Sequence, residues 1–350
     1  MQTEAVIIDD ISDKKSQNAL KKAGQTIRNG GLVVFPTETV YGLGADATSV
    51  QAAEKIYKAK GRPSDNPLII HIHEPALAEK YTYTTPMFYK IADAFMPGPI
   101  TVIMKAKDII PKTVTAGLDT VAVRCPLHPV ARELIKKAGV PIAAPSANLS
   151  GSPSPTCFKY AYADMNERVD MIIDGGDCDI GLESTIVKIE EDESLTLLRP
   201  GAVTVEDLNM LCDDIKISDA VLSALKEGQT VLSPGMKYKH YAPKTPFSLL
   251  KGSLEKRFEY ISSQNGRVAV ICYDEEVSSF ERIIPTELIF NFGKKDDLQK
   301  QAKLLFTLLR DVDKTEADAV FAALPDASGI GMALYNRMIR AAGHRIITLN

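Results

Sequence analysis

Four polar segments, far apart in the chain, carry the side chains with the means to do chemistry: PTETVYGLG at 36–44, KGRPSDNPL at 60–68, APSANLSG at 144–151 and GLESTIV at 181–187. Each adjoins an apolar run of β character. In each, hydroxyls, amides or fixed cations outnumber the acids that an ordinary solvated loop would carry. A strand end is where a rigid scaffold presents polar groups to a ligand. Four such ends with compatible chemistry describe one pocket assembled from four places, suited to a small, phosphorylated anion.

Within these segments the residues carry unequal weight. Lys60 and Arg62 close a helix, where cations can simply complement the macrodipole. Pro63 follows at once, however, and Asn66-Pro67 leads back into a buried strand, so the turn is held stiff beside the sheet. A planar fork and a point charge held there suit a polyphosphate. His71 and His73 alternate along a strand and share a face. With no third ligand at a suggestive spacing, they read as hydrogen-bonding histidines rather than a metal site. Arg124 ends the buried run VAVRCP, either snorkelling at a sheet edge or fixed as the partner of a substrate carboxylate. Ser146 and Asn148 sit in a turn whose composition is ordinary loop chemistry. No GxSxG elbow, Cys–His pattern, HExxH helix or GxxxxGK[ST] loop is present, and the GIG at 329–331 is too short for a dinucleotide fingerprint. If a nucleotide binds, side chains and strand ends must hold it.

The elements that position these residues fall into two rhythms. Over the first 200 residues, helical patterns at 14–27 and 48–60 alternate with apolar runs at 32–35, 68–72, 100–105, 120–124, 141–144, 170–173, 184–189 and 195–198. These predict eight strands of an α/β domain with a large sheet. The capping-box pattern at Thr48–Gln51 opens the second helix, and a short helix is expected over 203–211. The segment 233–246, SPGMKYKHYAPKTP, has three prolines and no periodicity. It reads as a linker, although its two tyrosines, histidine and three lysines are not the composition of a spacer. From residue 247, strands at 247–250, 267–273, 288–292 and 319–324 alternate with helices at 254–262, 298–311 and 332–342, a small doubly wound, Rossmann-like α/β domain. The boundaries expected are therefore 1–212, a linker over 213–246, and 247–350.

Bulk properties exclude several classes. At 350 residues the chain can hold two cores. A net charge of −4 argues against a large basic nucleic-acid surface. There is no signal-peptide pattern at the start and no apolar run long enough for a membrane span. The five scattered cysteines, without CxxC, read as free thiols of a cytoplasmic protein.

KxR at Lys60–Arg62, SxN at Ser146–Asn148, PTET-YGLG, STIV at 184–187, the SPGMKYKHYAP linker and the trailing α/β domain together resemble the YrdC-like threonylcarbamoyl-AMP synthases in their long, two-domain form. Met96 stands where that family often has tryptophan. The resemblance implies a twisted YrdC-like sheet with a concave, electropositive cavity. It also implies a reaction of L-threonine, bicarbonate or CO2, and ATP (with Mg2+) that yields threonylcarbamoyl-AMP and pyrophosphate. The product would pass to separate proteins that modify tRNA, with tRNA binding by this chain weak or indirect. In this reading Lys60 and Arg62 grip the triphosphate and the charge developing at the α-phosphate. Asn66, Thr120, Ser146, Asn148, Ser154 and Arg199 fix the nucleotide, and Tyr238 and His240 of the linker close over it. Thr37 or Thr39, His71, Arg124, the backbone at Ala144, and Ser184 cradle threonine. The alternatives are an RNA-binding module, or a carbamoyl-transferring YrdC-like enzyme, whose acylphosphatase module and zinc-finger cysteines are not seen.

Overall fold

The computed structural model describes residues 2–222 and 240–350. These divide into two compact units, residues 2–150 with 154–222, and residues 151–153 with 240–350. Tyr238 and most of the segment expected to act as a lid lie outside the described residues.

The first unit is built on an eleven-stranded sheet. In chain order the strands are β1 (Glu4–Ile7), β2 (Val33–Phe35), β3 (Gly42–Asp46), β4 (Ile69–His71), β5 (Ile100–Lys105), β6 (Thr120–Arg124), β7 (Ile142–Ala143), β8 (Met171–Asp174), β9 (Thr185–Ile189), β10 (Leu195–Arg199) and β11 (Ile215–Ile217). Their order across the sheet is β1-β8-β2-β3-β7-β4-β6-β5-β9-β10-β11, with parallel and antiparallel pairs mixed. All eight apolar runs read from the sequence are strands. β1, β3 and β11 are additions.

Leu20, Ala23 and Ile27 of the helix Lys14–Arg28 and Val130, Leu134 and Ile135 of Pro129–Ala138 are buried in one cluster with Val33, Phe35, Met171 and Ile173. The spacing of these apolar positions at three and four residues is what docks both helices on the sheet. The helix expected from Thr48 starts one residue later. Ser49 is the N-cap, its hydroxyl accepting from Ala52 N, while Thr48 is drawn into a turn with the Asp46 carboxylate. The helix runs Val50–Lys60 and ends at Gly61, whose φ of 62° is a left-handed cap. That stop leaves Lys60 and Arg62 on either side of the turn. The helix expected over 203–211 is only Val205–Asn209, opened by a capping box between Thr204 and Asp207.

A second cluster positions the site. Ile69, Ala122, Ile103 and Ile186 come from β4, β6, β5 and β9, four neighbouring strands, and are buried together. Side chains two apart on a strand share a face, so that apolar face continues into His71, Arg124, Thr101 and Ser184.

The second unit carries an all-parallel sheet ordered β14-β13-β15-β12-β16. Its strands are β12 (Phe247–Lys251), β13 (Val268–Cys272), β14 (Ile289–Asn291), β15 (Ala319–Ala323) and β16 (Ile346–Thr348). The helices Leu254–Ser262, Leu298–Val312 and Ile330–Ala341 connect them, the last beginning two residues before its expected start. No helix among the described residues is long and apolar enough to cross a membrane, and the five cysteines are free.

Candidate active site

Register brings one end of the site together. His71 on β4 pairs with Arg124 on β6, and Arg124 pairs with Thr101 on β5. Thr101 Oγ1 meets Ser184 Oγ, just before β9, at 2.7 Å. A polar row thus crosses four adjacent strands on one face, in a sheet whose strands lie about 4.8 Å apart. Into it reaches Glu38, in the PTET loop: Arg124 Nη2 donates to Glu38 Oε1 at 2.7 Å, with both side chains buried. Burial works to raise the Glu38 carboxyl, but the charge and hydrogen bond of Arg124 outweigh it and hold Glu38 below the usual carboxylate range. Burial, reinforced by the positive charge of Arg124, pushes His71 down to about 3, so its ring is neutral at physiological pH. Phe35 fixes that ring edge-on, with centroids 6.3 Å apart.

Several atoms here have no partner. Among the described residues, Glu38 Oε2, His71 Nδ1, Arg124 Nε and Asn66 Oδ1 are buried without a hydrogen bond. Each such atom costs on the order of 1–3 kcal/mol.

Lys60, Arg62, Asn66, Ser146 and Asn148 gather at the other end of β4 and β6. The buried Lys60 Nζ donates to the carbonyls of Ser146 and Asn148, both at 2.5 Å, and to Asn148 Oδ1 at 3.3 Å. The Ser146 hydroxyl donates to that same Oδ1 at 2.5 Å. Lys60 therefore clamps the SxN turn. Arg62 is half-buried, with Nη2 donating to Pro67 O at 3.0 Å and Nε to Asn66 O at 3.3 Å. Thr120, at the start of β6, is half-buried and four residues from Arg124, about 13 Å along the strand.

A third group links loops. Arg199 Nη2 and Nε donate to Ser184 Oγ at 3.1 Å and Ser184 O at 3.0 Å, so the bonds described for it run to a residue assigned to threonine from the sequence. Ser154 Oγ donates to Glu183 Oε1 at 2.6 Å. The Thr37 hydroxyl donates to Val40 O at 2.7 Å and accepts from the N–H groups of Thr39 and Val40, and it also meets the Thr39 hydroxyl at 2.9 Å. Thr37 is thus committed to its own turn, while Thr39 keeps hydrogen-bonding capacity. The Ala144 N–H is committed to Ile69 O at 2.9 Å. His240 belongs to the second unit, its ring 5.6 Å from that of Tyr241.

Glu38, Thr101 and Glu183 were not picked out from the sequence. A buried arginine beside a threonine-rich strand end was the available signal for Glu38, since such a cation needs a counter-charge.

This fold and polar face define a YrdC-like α/β protein with an added Rossmann-like unit. The family profile described as "Telomere recombination" matches residues 25–201, and that described as "Threonylcarbamoyl-AMP synthase, C-terminal domain" matches 203–343. The chain belongs to the threonylcarbamoyl-AMP synthase family. It is 40% identical to the threonylcarbamoyl-AMP synthase of Bacillus subtilis, over 97% of both chains. It is 38% identical to that of Pyrococcus abyssi, over 97% of this chain and 99% of the other. The solved structure of Pyrococcus abyssi Sua5 complexed with L-threonine superposes with a TM-score of 0.87 at 36% identity, covering 100% of each chain.

Proposed function

We propose that this chain condenses L-threonine, bicarbonate or CO2, and ATP into threonylcarbamoyl-AMP, releasing pyrophosphate. The observation that carries the assignment is the set of buried, unpartnered polar atoms around the His71–Arg124 row: a donor on Arg124, an acceptor on Glu38 and a neutral imidazole. They call for a zwitterionic ligand with a hydroxyl, and the relatives' threonine chemistry supplies one.

The threonine carboxylate takes Arg124 Nε, whose guanidinium Glu38 orients from the other side. The threonine hydroxyl is met by His71 Nδ1 and Thr39, with Thr39 preferred to Thr37 because the latter is fully used. These partners, more than shape, reject valine, since a site built to hydrogen-bond a hydroxyl leaves polar groups stranded with the isostere. Ser184, held by Thr101 and Arg199, borders the same end.

The amine of threonine attacks CO2 and loses a proton to give a carbamate. A carbamate oxygen then attacks the α-phosphorus, and pyrophosphate departs. Neither step needs a protein nucleophile; orientation supplies the rate. Arg62 faces the triphosphate as the accessible cation, while Lys60 adds fixed positive charge behind the SxN turn. Asn66, Thr120, Ser146, Asn148 and Ser154 border the nucleotide. Mg2+, a hard ion that binds chiefly through substrate phosphates and water, would come in with ATP and supply further positive charge beside that of Lys60 and Arg62.

The product passes to separate tRNA-modifying proteins in the cytoplasm. The test is pyrophosphate release from ATP in bicarbonate buffer. Release that depends on threonine and falls with valine supports the assignment; release indifferent to both overturns it.

A further inference from the structure

The second unit contains a cavity that the reaction above does not use. It measures about 350 Å3 and opens at the carboxyl ends of β12, β13 and β15, between Lys251, Tyr273 and the segment after Ala323. In the sheet order, the connection leaving β13 runs to β14 on one side, and the connection leaving β15 runs past β12 to β16 on the other. Adjacent strands whose connections depart in opposite directions form the crevice where open α/β sheets bind ligands. The helices Leu298–Val312 and Ile330–Ala341 both begin at this opening. The second has Gly329 as its N-cap, with φ of 52° and no side-chain cap, so no capping side chain covers its first N–H groups beside the lining residues Ser328 and Gly331.

Two buried side chains on the wall point to a ligand independently of the helix ends. Gln301 is wholly buried; its Nε2 donates to the carbonyls of Lys294 and Lys295 at 2.7 and 3.1 Å, but Oε1 has no partner among the described residues. Arg257 is buried in a two-pronged pair with Glu276, at 3.0 and 2.5 Å, and its Nε likewise has no partner among the described residues. Both residues line this one small cavity, so an unused acceptor and an unused donor belong to its wall. The exposed ammonium groups of Lys251 and Lys295 flank the mouth, against the carboxylates of Asp296 and Asp326.

We infer that this cavity binds a phosphorylated metabolite bearing free hydroxyl or amino groups, of nucleoside monophosphate size or smaller. The phosphate lies at the helix starts beside the lysines. Gln301 Oε1 and the Asp326 carboxylate accept from the hydroxyls or amine, and Arg257 Nε donates to a ligand oxygen. Two carboxylates at the mouth disfavour a polyphosphate, which separates this site from the ATP site of the first unit.

The test is hydrogen exchange on the full chain, followed by mass spectrometry, with AMP, ribose 5-phosphate and inorganic phosphate as separate probes. The readout is protection of peptides covering 250–257, 294–301 and 324–331. At least one organic phosphate is expected to protect all three segments, and Lys251→Glu with Lys295→Glu, both at exposed positions, to weaken that protection about tenfold in probe concentration. Threonine-dependent pyrophosphate release without added probe should be unchanged in this variant. The inference is overturned if no probe protects these segments while ATP and threonine still protect those around Arg62 and Arg124. It is also overturned if inorganic phosphate protects as well as the organic phosphates, or if the doubly reversed variant is protected like the parent.

Discussion

Arg124→Ala separates the two jobs that one guanidinium performs. Its Nη2 neutralises the buried Glu38 at 2.7 Å, and its Nε is the unpartnered donor on the sheet face. Removing one member of a buried pair leaves an uncompensated charge and costs about 3–5 kcal/mol. For a unit of this size, roughly 2–4 °C of Tm per kcal/mol, the midpoint should fall by about 6–20 °C. The deficit should shrink as pH is lowered, because a lone buried carboxyl in Glu38 takes up a proton rather than stay charged. Threonine binding loses a charge-assisted hydrogen bond of about 1.5–3 kcal/mol, which raises the apparent threonine requirement about 10- to 150-fold, at roughly tenfold per 1.4 kcal/mol. The ATP requirement should move little. The double variant Glu38→Met with Arg124→Met replaces the pair by apolar groups and should recover most of the lost stability without recovering threonine binding. Thermal unfolding and initial rates of pyrophosphate release, titrated in each substrate, measure both. Equal effects on threonine and ATP, or a double variant that binds threonine normally, would refute the reasoning.

Arg62→Ala should abolish turnover with a nearly unchanged Tm, since the bonds described for it go to two loop carbonyls from a half-buried position. Lys60→Met should lower stability by about 3 kcal/mol as well as activity, because it strands the Ser146 and Asn148 carbonyls; chemical denaturation distinguishes the two. His71 is held neutral down to about pH 3 in the fold but binds a proton near pH 6.5 when unfolded, so the unfolded chain gains protons, and stability drops, as pH falls through that window. His71→Gln should therefore lose about 2 kcal/mol less than the parent between pH 6.5 and 4.5, read by denaturant titration. Gly201→Ala would place a Cβ 2.5 Å from Thr185 N and 2.9 Å from Glu183 O, pushing back the strand entry that carries Ser184. It should cost about 1–3 kcal/mol and raise the threonine requirement, and a Tm within 1 °C of the parent would count against that packing.

The apolar strands were legible because burial on both faces writes continuous runs of Val, Ile and Leu. The short β3 was not, because GLGAD has no such run. Gly44 is there for fit: a Cβ would come within 2.7 Å of Ile142 and 2.8 Å of Phe35. β11 and β16 are edge strands of three residues, too brief to show a period. The site was legible as residue types at strand ends, and the pairing of distant residues was not. Nothing in PTET says that Glu38 meets Arg124, because that contact depends on the register of β4, β6 and β7 and on where the chain returns after Phe35. Thr101 was hidden differently: inside ITVIMK it reads as a strand residue among apolar ones, and only its place between Arg124 and Ser184 gives it polar neighbours.

The proposed reaction explains why register, rather than a reactive side chain, is what this sheet supplies. Two small molecules and a nucleotide must meet with a carbamate oxygen in line with the α-phosphorus, and the carbamate must not be lost to water before it does. In the proposed reading threonine sits at the His71–Arg124–Thr101 row and the phosphates towards the Arg62 end, so the reacting atoms lie along β6, whose ends at Thr120 and Arg124 are about 13 Å apart. A strand pair holds such a distance with little freedom, because each residue is tied across the ladder on both sides. Loops carrying the same side chains would have to be ordered anew in each turnover, at an entropic cost of about 1–2 kcal/mol per residue. The buried unpartnered atoms fit this account. Their desolvation is a standing cost to the fold, relieved when substrate arrives, so part of the binding free energy is stored in the protein before threonine enters.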